Sequence, residues 1–346
     1  MNKYLILSDG NSSHTLKWVK ELNKYFDVYI ISFNGFSAEL REIVAENKLF
    51  NFETSLLIRG GNIKVLKHIF SVATLIKTIG PKYINAHYLT SYGTVACIAT
   101  FLTGYDGKLI LSAWGSDALV TPNRNYLYFL LTKWLLKKAD IITSDSEYMT
   151  KKIQGIYKKA NVLTFPFGIE QVPHVEIEDK NEFMFFSSRA LEPNYNIDWV
   201  IRLFADLHKE DSRCKLFIAH NGTERNELEK LVSNLEIKDS VKFIGFLSAI
   251  QQAEYYTKCK YYFSLPTSDS TSVSLLEAMA YGCTPIVSDI PANREWIEDN
   301  INGIILNKNN KNLLKNLNFD AFHINRKKIA DKAIWENNIK EYIKKL

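Results

Sequence analysis

Asp269, Ser272, Ser274 and Glu277 fall in one short run, Leu265-Pro266-Thr267-Ser268-Asp269-Ser270-Thr271-Ser272-Val273-Ser274-Leu275-Leu276-Glu277-Ala278-Met279-Ala280-Tyr281-Gly282. Their chemistry is recognition of anions and hydroxyls. Five of the seven residues from Thr267 to Val273 are Ser or Thr, and good helix formers follow from Leu275 to Ala280. A helix opening after such a loop offers N–H groups with no intrahelical acceptor, here near Ser272, Val273 and Ser274, together with the positive end of its dipole. Phosphate suits that place. Glu277 lies one turn further on among apolar neighbours, where a carboxylate needs partners, and the vicinal hydroxyls of a sugar are suitable ones. Asp269 stands eight positions earlier, near the same opening. A Ser-rich loop that only caps a helix, with Glu277 as a solvated acid, fits the same letters.

Other residues are candidates by their position. Arg189, in Ser187-Ser188-Arg189-Ala190-Leu191-Glu192-Pro193, follows a strand-like run; its forked cation fits either a diphosphate or a structural salt bridge. In Ser112-Ala113-Trp114-Gly115-Ser116-Asp117, Asp117 reads as a hydroxyl acceptor or as a helix-capping acid. The Trp114 indole can stack on a sugar face but cannot shuttle a proton. His87 ends the strand expected over Tyr83–His87 and His14 stands at a helix start; each is either a satisfied structural histidine or a ligand at a sheet edge. Gly222, in His220-Asn221-Gly222, permits a tight turn.

The elements that must position these groups alternate strand and helix along the chain. That predicts two doubly wound α/β domains with parallel sheets, which face each other across a cleft and bind ligands at the carboxyl ends of their strands. The first domain spans 1–168, a linker without apolar period spans 169–181, and the second domain spans 182–319. Helices at 320–346 are candidates to cross back to the first domain. The patch from Phe50 to Arg59 has no clear period. No Gly-x-Gly-x-x-Gly follows the first strand, which counts against a dehydrogenase.

The bulk numbers agree with that division. A chain of 346 residues, 46% hydrophobic and 23% charged, is ordinary for a soluble two-domain protein. The net charge of +5 is uneven: residues 1–168 carry 20 Lys/Arg against 12 Asp/Glu, and the rest 23 against 26. A basic first half suggests an anionic partner such as a membrane surface, although clustered solvated lysines would give the same count. The four cysteines are widely spread, as expected of buried free thiols in a reducing compartment. The first apolar run is a strand, not a signal peptide, and no run approaches the ~20 residues of a membrane span. The expectation is a cytoplasmic protein, either soluble or peripheral on the inner face of the membrane. The apolar helix from Asn125 to Lys138 packs into the core or lies on lipid.

The 265–289 stretch resembles the signature of glycosyltransferase family 4, in which two acidic residues separated by seven others precede Ala-Met-Ala and a Gly-Thr-Pro-like turn. Asp269 takes the first acidic place, one methylene shorter than the family's Glu, and Glu277 takes the second. Arg189 matches the Arg of the family's Gly-Arg-Leu segment, while Asn194 stands where a Lys is usual. Val241-Lys242-Phe243-Ile244-Gly245-Phe246 matches the strand and turn that meet the nucleotide base, which puts Gly245 in the donor site. Trp114 replaces the His of a His-Gly-Ser-Asp loop whose Asp is Asp117. Phe165-Pro166-Phe167-Gly168-Ile169 matches the interdomain segment.

The resemblance implies the GT-B fold and a retaining hexosyltransferase that needs neither metal nor cofactor. Its donor would be a nucleotide diphosphate sugar, with a UDP-sugar favoured. Arg189 and the amides of Ser272, Val273 and Ser274 would hold the diphosphate, Glu277 the ribose and Asp269 the donor sugar. Asp117 joins the catalytic set, and His14, His87 and Trp114 the acceptor side. The acceptor would be a glycan or lipid-linked glycan of bacterial surface polysaccharide, lipopolysaccharide or glycoconjugate synthesis. No nucleic acid partner is expected. A nucleotide-sugar epimerase, or a catalytically silent nucleotide-sugar-binding partner of another transferase, are the alternatives.

Overall fold

A computed structural model of the chain describes residues 1–54, 63–306 and 321–346. The end of the patch without period, from 55 onward, and the boundary near 320 lie outside the described residues. The chain divides into two compact units, Met1–Phe165 and Pro166–Leu346.

The first unit is built on seven strands: β1 (Lys3–Leu7), β2 (Asp27–Ser32), β3 (Leu49–Asn51), β4 (Tyr83–His87), β5 (Lys108–Ser112), β6 (Ile141–Ser144) and β7 (Val162–Thr164). They pair in parallel in the order β3-β2-β1-β4-β5-β6-β7. The second unit has six: β8 (Asn181–Ser187), β9 (Lys215–Ala219), β10 (Val241–Gly245), β11 (Cys259–Ser264), β12 (Thr284–Ser288) and β13 (Ile304–Leu306). Their order is β10-β9-β8-β11-β12-β13, again all parallel. Helices cover both faces, so β4 and β12 are buried at every position.

The strand order reverses between β1 and β4 in one sheet and between β8 and β11 in the other. Beyond the carboxyl ends of those pairs the connecting chains diverge to opposite faces of the sheet, leaving a crevice for a ligand. The residues singled out by their chemistry come from those ends: Arg189 after β8, Asp269 after β11, His14 after β1 and His87 at the end of β4.

Side-chain caps fix where the helices begin. Ser12, Asn125, Ser146, Ser248 and Ser272 each accept an N–H from the first turn of the helix that follows, worth about 1 kcal/mol apiece. The structure adds elements that periodicity did not reveal. A helix of six residues, Ala38–Ile43, and the three-residue edge strand β3 are too short to show a period. The helical segment after β4 starts with a single π-helical turn, Tyr88–Tyr92, and only then becomes Gly93–Thr103.

The two C-terminal helices, Phe322–Lys332 and Trp335–Lys344, pack on the second unit. Arg326 donates to Ala280 O at 3.0 Å and Pro173 O at 2.8 Å. Gly168, at φ +60°, lies so close to this segment that a β-carbon there would approach Ala333 O to 2.4 Å. Only glycine meets both conditions. The four cysteines are buried free thiols.

Candidate active site

Arg189 leaves β8 by two residues and turns back over the sheet edge, where it is only 8% exposed. Its Nη2 donates to Asp269 Oδ2 at 2.6 Å, and its Nη1 to Ser274 Oγ at 3.1 Å and to Ser272 Oγ. The guanidinium lies 4.3 Å from the centre of the Tyr195 ring. Burial is the largest influence and opposes its charge, but the Asp269 carboxylate together with Tyr262 and Tyr195 outweighs it and the pKa is raised; the group is a permanent, forked cation. Residues 80 apart in sequence meet because β8 and β11 are neighbours.

The loop that carries Asp269 is tied down by Asn194, the residue standing where the resembled family has a cation. Asn194 Nδ2 donates to Ser268 O at 3.0 Å, while its backbone O and side-chain Oδ1 accept from the Thr267 N–H at 2.8 Å and the Thr267 hydroxyl at 2.7 Å. The position therefore contributes loop geometry rather than charge. Ser272 Oγ caps the helix Val273–Ala280 by accepting from Leu275 N–H at 3.3 Å. The N–H groups of Val273 and Ser274 belong to its first turn and have no intrahelical acceptor.

Glu277 is half-buried, and its Oε2 accepts from Gln252 Nε2 at 2.9 Å and from the Tyr256 hydroxyl at 3.2 Å. Both donors belong to the helix Ala249–Lys258, and the Tyr256 hydroxyl also reaches Ser274 O at 3.2 Å. The carboxylate is thus fixed in orientation, which rules out a solvated acid.

Gly245 (φ +70°) ends β10 and accepts the His220 N–H at 2.6 Å, His220 itself having φ +65°. His220 Nε2 lies 3.3 Å from Ser188 Oγ, and burial followed by the nearby Arg189 charge lowers its pKa. Phe246 is 72% exposed, with its ring edge-on to His220 at 5.6 Å. His220, Tyr195 and Phe246 join the edge without having been singled out. Position directly after a strand was the available signal for His220 and Phe246.

In the first unit, His14, His87 and Trp114 come together. The Trp114 ring centre is 4.8 Å from His14 and 5.2 Å from His87, with Tyr88 at 5.9 Å. Ser8 Oγ, at the end of β1, is 3.0 Å from His87 Nδ1 and 2.7 Å from Thr15 Oγ1. Tyr88 holds φ +65°, an outlier for a bulky residue, of a kind that gathers with π-turns at functional sites.

Asp117 does not present an open carboxylate. It is 4% exposed; Oδ2 accepts from Leu89 N–H at 2.8 Å and Oδ1 from Trp114 N–H at 2.9 Å. Burial raises its pKa against the opposing pull of these backbone donors. Asp117 latches the Trp114 loop to the turn after β4.

Burial, with the neighbouring His14, lowers the His87 pKa to about 3; burial and Lys17 lower that of His14 to about 4. Both rings are neutral at pH 7. On unfolding they regain a pKa near 6.5, so below that value the unfolded chain binds more protons and stability falls as pH falls. Between pH 6.5 and 5 the wild type is expected to lose up to about 1.4 kcal/mol per pH unit through His87. Denaturant titrations of wild type and His87→Gln at several pH values check this. The variant should show the shallower slope, and equal slopes would assign the loss to other groups.

No helix among the described residues is long and apolar enough to cross a membrane. Two family models divide the chain between them: "Glycosyl transferase 4-like" matches residues 3–146 and "Glycosyl transferases group 1" matches residues 168–330. The chain is similar to alpha-monoglucosyldiacylglycerol synthase of Streptococcus pneumoniae, 26% identical over 61% of this chain and 50% of that protein. It is also similar to the Campylobacter jejuni N-acetylgalactosamine-N,N'-diacetylbacillosaminyl-diphospho-undecaprenol 4-alpha-N-acetylgalactosaminyltransferase, 25% identical over 60% of this chain and 59% of that one. The chain spans half or less of the length of the first curated relatives it matches. Among solved structures, Anabaena HepE in complex with UDP and glucose superposes over the whole of both chains with a TM-score of 0.77 at 16% identity. That likeness establishes the two-domain GT-B fold.

Proposed function

The chain belongs to the GT-B glycosyltransferases of the type that the 4-like and group 1 models describe, and from that premise we propose that it moves a hexose from a nucleotide diphosphate sugar, a UDP-sugar first, to a hydroxyl of a glycan acceptor with retention of configuration. The observation that carries this reading is the convergence of Arg189, Asp269, Ser272 and Ser274 on one edge, beside an oriented Glu277. Charge builds on the leaving diphosphate as the glycosidic bond breaks. A buried forked cation and a helix's first amides are preorganised donors for it, which is the most effective electrostatic arrangement a site can offer. Glu277 would hold the ribose hydroxyls, Gly245 the base through its backbone, and Asp269 the donor sugar after exchanging part of its contact with Arg189.

The acceptor hydroxyl would attack from the face on which the diphosphate departs, with a phosphate oxygen taking its proton. In this scheme no side chain has to act as the base. Asp117 acts as a positioning residue, holding Trp114 against His14 and His87, and the neutral aromatic cluster suits an uncharged sugar of the acceptor. The diacylglycerol-based and undecaprenol-linked names of the two relatives favour a lipid-linked glycan acceptor in surface glycoconjugate synthesis. The reading puts the enzyme on the cytoplasmic side, peripheral to the membrane.

Incubating the chain with UDP-, GDP- and ADP-sugars and following nucleoside diphosphate tests the proposal. Slow release from one donor class, quickened by an acceptor, is expected. Binding of a nucleotide sugar with no release from any of them would favour the silent partner instead.

A further inference from the structure

The helix Tyr126–Lys138 turns an unusual face outward. Thr132, Leu135 and Leu136 point into the unit, while Tyr126, Leu127 and Leu130 are 71%, 77% and 42% exposed. Tyr126, Leu130, Lys133 and Lys137 fall at helical spacing along one stripe, so two apolar turns are followed by two cationic ones. The neighbouring outer helix Glu147–Ile156 shows what solvent normally selects, exposing Lys151, Lys152 and Gln154. From 118 to 139 the chain contains no Asp or Glu, yet it carries Arg124, Lys133, Lys137 and Lys138. The Lys138 ammonium lies 5.7 Å from the ring of Phe101, which is itself 74% exposed.

We infer that this helix is a docking face for an anionic bilayer, lying in the plane of the headgroups with Tyr126, Leu127 and Leu130 inserted. Thirteen residues make a helix of about 20 Å, too short to span; its outward side is apolar over the first turns and cationic over the last, so it can rest on a bilayer surface with its leading end inserted. Tyrosine is favoured at that depth, and lysine stems run along apolar surface to place their charge among anionic headgroups. Charge separates this occupant from a second copy of the chain. An isologous pairing would bring the same acid-free, cationic surface against itself, where like charges oppose association. The inference deepens the proposed function, resting on it for a lipid-linked acceptor, but its test does not depend on turnover.

Co-sedimentation of the chain with phosphatidylcholine vesicles, with and without phosphatidylglycerol, measures the partitioning. Binding should require the anionic lipid and weaken with salt. The pair Leu127→Glu/Leu130→Glu and the pair Lys133→Glu/Lys137→Glu should each reduce it about tenfold or more, with melting temperatures and nucleotide binding unchanged. Absence of vesicle binding, or binding that neither pair alters, overturns the inference. So does sedimentation equilibrium showing a wild-type dimer that the leucine pair disperses. Should no nucleotide sugar be turned over while vesicle binding and its loss in the variants hold, the transferase reading fails and the docking face stands.

Discussion

Arg189→Ala is expected to lower sugar transfer by about 10²–10³-fold, the cost of removing one preorganised donor from a developing oxyanion. The guanidinium is the only buried cation among the described residues at that edge. Neither Asn194, which holds Thr267 and Ser268 in place, nor His220, whose pKa burial lowers even without the Arg189 charge, can replace its charge at pH 7. Arg189→Lys should recover only part of the rate, because a point charge cannot reach Asp269, Ser272 and Ser274 together as the planar fork does. Donor turnover with saturating acceptor checks both variants. Full activity in Arg189→Ala would assign the Arg189–Asp269 pair to structure alone.

Glu277→Ala is expected to weaken nucleotide binding by about 1–3 kcal/mol, the range for a charge-assisted bond to a ligand hydroxyl. The wild-type carboxylate is already oriented by Gln252 and Tyr256, so it loses little freedom on binding a ribose. Removing it also takes an acceptor from the buried Tyr256 hydroxyl, although Ser274 O remains within 3.2 Å. Glu277→Gln keeps the shape and separates loss of charge from loss of packing. Calorimetry with UDP and with its 2',3'-dideoxy analogue resolves the role. The wild type should discriminate between the two by about the same factor that Glu277→Ala loses, and the variant should not discriminate. Equal affinity of wild type and Glu277→Ala for UDP would remove the ribose assignment.

Much of this architecture was legible in the chain because short strand-like runs alternate with helix-like ones between Gly, Pro and polar turns. Tyr83–His87 was delimited to the residue, and the helix ending at Lys138 was found with Asn125 at its start. Ala38–Ile43 and Leu49–Asn51 were missed, since neither repeats its pattern within so few residues. The turn at Tyr88 was illegible for another reason: a positive φ in a tyrosine is imposed by its surroundings, against its own preference. At the candidate site, residue type and strand-end position pointed to Arg189, Asp269 and Glu277. Sequence could not tell that Arg189 reaches Asp269, because that contact depends on β8 and β11 lying side by side. Nor could it show that Asp117 is neither an open acceptor nor the cap of its helix: its carboxylate accepts from two backbone N–H groups, one of them 28 residues away.

The most direct measurement is calorimetric titration of UDP and of uridine into wild type and Arg189→Ala. If the diphosphate is gripped by Arg189 beside the amides of Val273 and Ser274, UDP should bind the wild type far more tightly than uridine. That advantage should shrink by about 10- to 100-fold in the variant, with uridine affinity unchanged. An unaltered ratio of UDP to uridine affinity in Arg189→Ala would contradict the account.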